Sequence, residues 1–163
     1  MTLTQSILKE ELIYDPESGV FIRCRTRRKV RAGDIAGTIN LLGYVQIRVG
    51  GKLYFGHRLA WLYMTGSWPP NEIDHIDGNP GNNRWGNLRA ATHSQNMANA
   101  RRRKDNKTGV KGVRPFRGKY QSSLGYRNRI HLGTFHTIEE AAAAYRNASE
   151  KEYGSFSRTD DAP

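Results

Sequence analysis

The sequence predicts an α+β protein. A β-rich N-terminal region holds a short hairpin laid on a helix, and a linker joins it to a C-terminal three-stranded antiparallel sheet packed on one helix. Three observations predict this. Between 73 and 97, two strand-like runs flank a cluster of turn formers, and Thr92 with Gln95 three positions on has the form of a capping box. Between 110 and 135, apolar and polar residues alternate in three runs broken by Gly118 and by Arg127-Asn128. A second capping box, Thr137 with Glu140, opens a helix over 138–153. Its stripe of Ala141, Ala144, Tyr145 and Ala148 is small enough to lie close on a sheet.

Each element follows in order. Leu3, Ile7, Leu8, Leu12 and Ile13 stand at near-helical spacing and predict a short helix within 1–13. Asp15-Pro16-Glu17-Ser18-Gly19 is a turn, and 20–24 is a strand. Arg23, Arg25, Arg27, Arg28, Lys29 and Arg31 then crowd nine positions, an exposed loop suited to a DNA backbone. The β-rich runs 43–49 and 52–56 are joined by Gly50-Gly51, a hairpin signal. A helix follows over 57–65, in which Leu59, Leu62 and Tyr63 share a core-facing stripe widened by Trp61 and Met64. His57 reads as a hydrogen-bonded structural residue. Residues 66–70, with Pro69-Pro70, form a rigid link to a strand over 72–77. A second strand at 88–91 leads to a helix from His93 to about Arg103, where the cations of 101–104 suit its negative end. The domains are therefore 1–104 and 110–158, with a linker at 105–109 and a tail at 159–163.

Composition narrows the function. The chain has 163 residues and a net charge of +11, and the charge is unevenly placed. Residues 1–66 carry +5 and 101–158 carry +9, whereas 67–100 carry −1. Two basic flanks around a stretch that can hold a cation favour a nucleic acid partner over a small-molecule substrate. Cys24 is the only cysteine, so no internal disulfide or Cys-rich zinc module is available, and a reducing compartment is expected. No apolar run approaches ~18 residues and no signal-peptide pattern opens the sequence, so neither membrane nor secretion is expected.

The chemistry gathers in 73–97, reading IDHIDGNPGNNRWGNLRAATHSQNM. The hairpin and helix bring Asp74 and His75 from a strand, Asn87 from the end of a turn and Asn96 from the helix into one volume. Neighbours on a strand point to opposite faces, so Asp74 and His75 cannot both face one way without a twist. Asp74 and Asn96 offer hard oxygens suited to Mg²⁺ bound partly by water and phosphate. His75 is the nearby group that titrates close to neutral pH, as a general base should. Asn79, Asn82 and Asn83 read as plain turn residues, and His93 as a first-turn residue that could reach a phosphate.

The spacing H-x11-N-x8-N, with Asp74 preceding His75, resembles the ββα-metal motif of HNH endonucleases, and DHIDGNPGNNRWGNLR is similar to the version in phage-type homing endonucleases. The resemblance implies that His75 activates the attacking water, that Asp74 and Asn96 hold one divalent metal (Mg²⁺, with Mn²⁺ tolerated), and that Asn87 belongs to the catalytic set, tying the loop and helping to hold the histidine in place. Asn96 stands where the family's third motif residue is often His. The same resemblance implies a phage or mobile-element enzyme acting in the cytoplasm of a bacterial host.

In the C-terminal region, alternation assigns Val113, Tyr120, Ser122, Leu124, Ile130 and Leu132 to the helix side of the sheet. Arg114, Lys119, Gln121, Ser123, Arg129 and His131 fall on the other side, with Arg117 in the adjoining turn. Such a basic, hydrogen-bonding face can contact base edges and phosphates. The run GVKGVRPFRGKYQSSLGY…RIHLGTFHTIEEAAAAYRNAS resembles the APETALA2-type (ethylene-response-factor-like) DNA-binding domain. That resemblance implies groove-facing Arg114, Arg129 and His131. The chain departs from the plant pattern at Ser123, Gly125 and His131, which puts the plant target sequence aside without altering the docking mode.

The sequence expectation is thus a site-directed endonuclease of double-stranded DNA, monomeric on its substrate. Arg25, Arg27, Arg28, His93, Arg101, Arg102 and the C-terminal face would hold the duplex. The alternative is a DNA-binding regulator with a non-catalytic first domain. RNA fits less well, because the sheet lacks an aromatic pair for stacking bases.

Overall fold

The computed structural model describes residues 2–27, 30–125 and 129–159. Among the described residues, helices alternate with four small sheets, the mixed class expected. The residues group into two compact units, Met1–Ala90 and Ala91–Pro163.

In the first unit, Thr4 accepts from the Ile7 amide and starts α1 (Gln5–Glu11). Strands β1 (Leu12–Asp15) and β2 (Val20–Arg23) then form an antiparallel pair with Leu12 opposite Arg23. The helical spacing read across 1–13 hid β1. Leu12 and Tyr14 are buried while Ile13 and Asp15 are exposed, a period of two that the fold-back at 15–19 turns into a strand.

A three-stranded sheet follows in the order β3 (Thr38–Ile39), β4 (Val45–Val49), β5 (Lys52–Phe55). The turn between β4 and β5 holds Gly50 at φ +55° and Gly51 at +82°, the left-handed pair a two-residue hairpin requires. Helix α2 (Gly56–Thr65) buries Leu59, Ala60 and Leu62 and ends in left-handed Gly66. Its stripe packs with Leu8, Leu12, Phe21, Ile47 and Ile73 in one core. Strand β6 (Glu72–His75) pairs with β7 (Leu88–Ala91), and a 3-10 turn at Trp85–Asn87 precedes β7.

In the second unit, both halves of the Thr92–Gln95 capping box are formed at α3 (His93–Asn99). The helix stops short of the expected Arg103. The Lys111 ammonium donates to the carbonyls of Met97, Ala98 and Ala100 at 3.0, 2.5 and 2.6 Å, so a distant lysine takes the place expected of Arg101 and its neighbours. Arg101 and Arg102 follow the helix instead of ending it. By its contacts α3 groups with the C-terminal elements, whereas the sequence reading groups it with the hairpin.

Strands β8 (Val113–Phe116), β9 (Lys119–Leu124) and β10 (Ile130–Phe135) form an antiparallel sheet in the order β10-β9-β8. Helix α4 (Ile138–Tyr153) has a complete Thr137–Glu140 capping box and buries Ala141, Ala142, Tyr145 and Ser149. Val113, Ser122 and Leu124 are buried as the alternation expects. Ile130 pairs with Leu124 yet stays 57% exposed, because it begins an edge strand and a register shift follows at His131/Gly133. The expected turn at Arg127-Asn128 and the strand end at Tyr126 lie outside the described residues.

Candidate active site

Asp74 and His75 end strand β6, and both are buried, at 3% and 6% exposure. They diverge as neighbours on a strand must. The Asp74 carboxylate accepts from Arg89 Nε of β7 at 2.8 Å. The imidazole of His75 turns instead to the loop that follows it. Its Nε2 lies 3.2 Å from Oδ1 of Asn83, and its ring meets those of Tyr44 and His57 at centroid distances of 6.1 and 5.2 Å.

Asn83 is a residue of this site that the sequence reading missed. It is only 2% exposed, so its reading as a plain turn residue is corrected. Three elements far away in sequence hold it. The Tyr14 hydroxyl donates to its carbonyl at 2.6 Å. Gly19 runs so close that a Cβ there would stand 2.5 Å from the Asn83 carbonyl carbon and the Arg84 nitrogen. Gly56 likewise leaves room for the amide, since a Cβ there would lie 2.8 Å from Asn83 Nδ2. A signal was present in the sequence, as glycines at 19 and 56 match these close approaches, but nothing local ties them to position 83.

The loop between the strands is organised by Asp77, a second residue the sequence reading passed over. Its carboxylate accepts from the Asn79 amide at 2.8 Å, Asn82 Nδ2 at 2.7 Å and Asn87 Nδ2 at 3.0 Å. Asn87 also donates to the Asn82 carbonyl at 2.9 Å and accepts from the Asp77 amide at 3.0 Å. Asn87 therefore binds the loop to itself, and it is Asn83, not Asn87 as expected, whose side chain lies against the imidazole.

Electrostatics follow from burial. Burial pushes the His75 pKa below the ordinary histidine value, against opposing pulls from Asn83, Asp77 and Asp74. The ring is neutral near pH 7, the state in which an imidazole can accept a proton. His57, in the first turn of α2, is lowered to about 3 by burial, then by His75 and Arg58. Its Nδ1 is buried without a hydrogen-bond partner, which corrects the expectation of a hydrogen-bonded histidine. Instead it stacks on Phe55, with ring centroids 5.5 Å apart.

The remaining candidates sit as follows. Asn96 lies half-buried on α3, and His93 opens that helix, exposed. Arg25 pairs with Glu10 at 3.2 Å and Arg27 with Glu11 at 2.6 Å on the surface; Arg28 lies outside the described residues. Arg114, Lys119, Arg129 and His131 are exposed. Arg114 is opposite Gln121 in the register and bonds to its Oε1 at 2.8 Å through Nε, while His131 is opposite Ser123. Arg117 takes a left-handed turn conformation at φ +48°, its guanidinium 5.3 Å from the centre of the Phe116 ring. Arg101, Arg102, Arg114, Ser123 and Arg129 border one cleft of about 370 Å³ within the second unit.

Residues 54–98 match the family of HNH endonucleases, a stretch that contains β6, the Asp77 loop, β7 and most of α3. This stretch is similar to the domain of HNH endonucleases, and the similarity points to a nuclease. The chain is also 33% identical over 109 residues, 65% of its length, to a protein named "Uncharacterized HNH endonuclease L560" from Acanthamoeba polyphaga mimivirus. The match spans 56% of that relative's length. No solved structure matches the chain significantly.

Nucleases of this family generally use a divalent metal. Among the described residues, no group of three or more His, Cys, Asp and Glu side chains comes together to hold one. The donor set still fits a hard cation that takes few protein ligands and keeps water or phosphate oxygens. Asp74 is a buried carboxylate next to His75, and a carboxylate has lone pairs enough to accept from Arg89 and also ligate a cation. Among the described residues no helix is long and apolar enough to cross a membrane.

Proposed function

We propose that the protein is a site-directed endonuclease that hydrolyses one phosphodiester of double-stranded DNA, of the homing or phage type. The observation that supports it best is the seating of His75. The ring is buried and neutral, with Nε2 against the Oδ1 of a buried asparagine. Held against Asn83, the neutral imidazole takes the proton from the attacking water. Arg89 orients the Asp74 carboxylate, and the Asp77–Asn87 bonds keep the loop from drifting.

By the motif spacing, Asp74 and Asn96 hold one Mg²⁺, with Mn²⁺ accepted in its place. When bound, such a cation supplies Lewis-acid stabilisation of the charge that builds on the phosphate oxygens. The two strands and helix of 72–99 are then the ββα-metal unit. The basic face of β8–β10, laid on α4 in the manner of an APETALA2-type domain, supplies affinity and sequence preference together with Arg25, Arg27, Arg28, His93, Arg101 and Arg102. The division into a nuclease domain at 1–104 and a reader at 110–158 belongs to this proposal. So do action as a monomer and a cytoplasmic setting in a cell that hosts a phage or mobile element.

The test is supercoiled plasmid incubated with the protein and Mg²⁺, with a chelator control. Nicking or linearisation is expected only with the metal. His75→Ala should still bind DNA while cleavage falls roughly 10²–10⁴-fold, the scale of losing a positioned base. Undiminished cutting by that variant removes His75 from the mechanism.

A further inference from the structure

The turn between β3 and β4 presents two leucines that the fold does not use. Leu41 is fully exposed and Leu42 is 76% exposed, at a turn tip, where Gly, Pro, Asn, Asp and Ser prevail. The turn itself is closely hydrogen-bonded. Asn40 exchanges backbone bonds with Gly43 and Tyr44 at 2.9 Å each, and its Oδ1 accepts from the Leu42 and Tyr44 amides at 2.9 and 3.0 Å. Gly43 also lies against the loop that follows His75, since a Cβ there would come 3.0 Å from the Pro80 ring.

The tip stands next to the reaction centre. Tyr44, two residues beyond Leu42, places its ring 6.1 Å from that of His75 and 5.5 Å from that of His57. Two residues span at most about 7 Å of backbone, and Gly43 between them packs on the loop that follows His75, so the leucines belong to the same surface as the reaction centre. Along a duplex the phosphates offer an apolar pair nothing. The apolar surface of DNA is the faces of its bases, reached when a side chain enters a step from the minor groove. That groove is about 6 Å wide, suited to a tip of two residues, whereas the major groove admits a whole helix or ribbon.

Resting on the reading of His75 as the base of a DNA nuclease, we infer that Leu41 and Leu42 form a wedge that enters the minor groove beside the scissile phosphate and partly unstacks one base step. The kink it makes turns the phosphate toward His75.

The test uses the full chain with His75→Ala, which should bind without cutting. Plasmid bound by it is relaxed with a type I topoisomerase, stripped of protein and resolved on a gel for linking number. A wedge unwinds the duplex, so the linking number should fall in proportion to bound protein. Adding Leu41→Ser and Leu42→Ser should abolish the shift at equal occupancy, and Leu41→Met with Leu42→Met should restore it. Both positions face solvent, so folding should be unaffected, which circular dichroism checks. With His75 intact, the serine pair should cut about tenfold more slowly or worse. An unchanged linking number with the native tip, or an equal shift with the serine pair, overturns the inference. So does a dimer in sedimentation that the serine pair converts to monomer without any effect on DNA. If the protein shifts the linking number through its leucines but never cuts DNA, the wedge stands and the nuclease reading falls.

Discussion

Replacing Gly19 by alanine places a methyl group against the segment that carries Asn83. Two costs arise. Gly19 has φ +74°, a left-handed conformation that costs an L-residue about 1 kcal/mol or more. The new Cβ would also stand 2.5 Å from Asn83 C and Arg84 N, both backbone atoms that cannot swing aside. Restoring ordinary contact requires one segment to retreat by roughly 1 Å, an overpacking cost of about 1–3 kcal/mol. The sum is about 2–4 kcal/mol. Gly50→Ala is the control, because Gly50 is also left-handed at φ +55° but a Cβ there meets nothing within 4 Å. It should cost only about 1 kcal/mol. Trp61, Trp68 and Trp85 all lie in the first unit, so tryptophan fluorescence during urea unfolding reports on that unit alone. Because Asn83 seats His75, a displacement of that size should also slow cleavage by roughly 10²-fold with DNA binding retained. If Gly19→Ala proves no more destabilising than Gly50→Ala, the hairpin does not brace the site.

Three further outcomes are expected. His57 has a folded pKa of about 3 against 6.5 when unfolded, so the unfolded chain binds the extra proton between those values. Its contribution is full above pH 6.5 and is lost as pH falls toward 3, at about 1.4 kcal/mol per pH unit; urea midpoints from pH 7 to 4 should fall more steeply for the native protein than for His57→Leu, and parallel curves refute this. Lys111→Met leaves three carbonyls at the end of α3 without their charged donor and should weaken that helix by about 2 kcal/mol, read as faster amide exchange in 93–99 with the tryptophan transition unmoved. Arg114→Ala should weaken DNA binding for all sequences and lower the salt slope of log K by about 1; an unchanged slope takes Arg114 off the phosphates.

Local chemistry announced much of the fold. Both capping boxes formed, the Gly50-Gly51 turn joined the strands it separates, and α4 has the bounds its stripe and caps marked out. What escaped was long-range. Nothing near Lys111 says that it ends a helix more than ten residues earlier, and Arg101, Arg102 and Arg103 are good helix formers that tertiary contacts overrode. In the site, the Asp74, His75 and Asn87 pattern was visible because its spacing is contained in one hairpin. Asn83 was not, since one of several asparagines in a turn gains its meaning from Tyr14, Gly19 and Gly56 folding over it. Asp77 was hidden for a related reason, because a carboxylate in a polar loop looks solvated until its donors are counted.

The grip of the first hairpin on Asn83 bears on any attempt to transplant this nuclease unit. A fragment cut to the matched stretch 54–98 would keep His75, Asp77 and Asn87. It would lose the Tyr14 hydroxyl and the close-packed Gly19, and it would lay bare the apolar side of α2 that Leu8, Leu12 and Phe21 cover. A graft that aims to carry the chemistry to a new DNA reader must therefore take the hairpin along as its buttress.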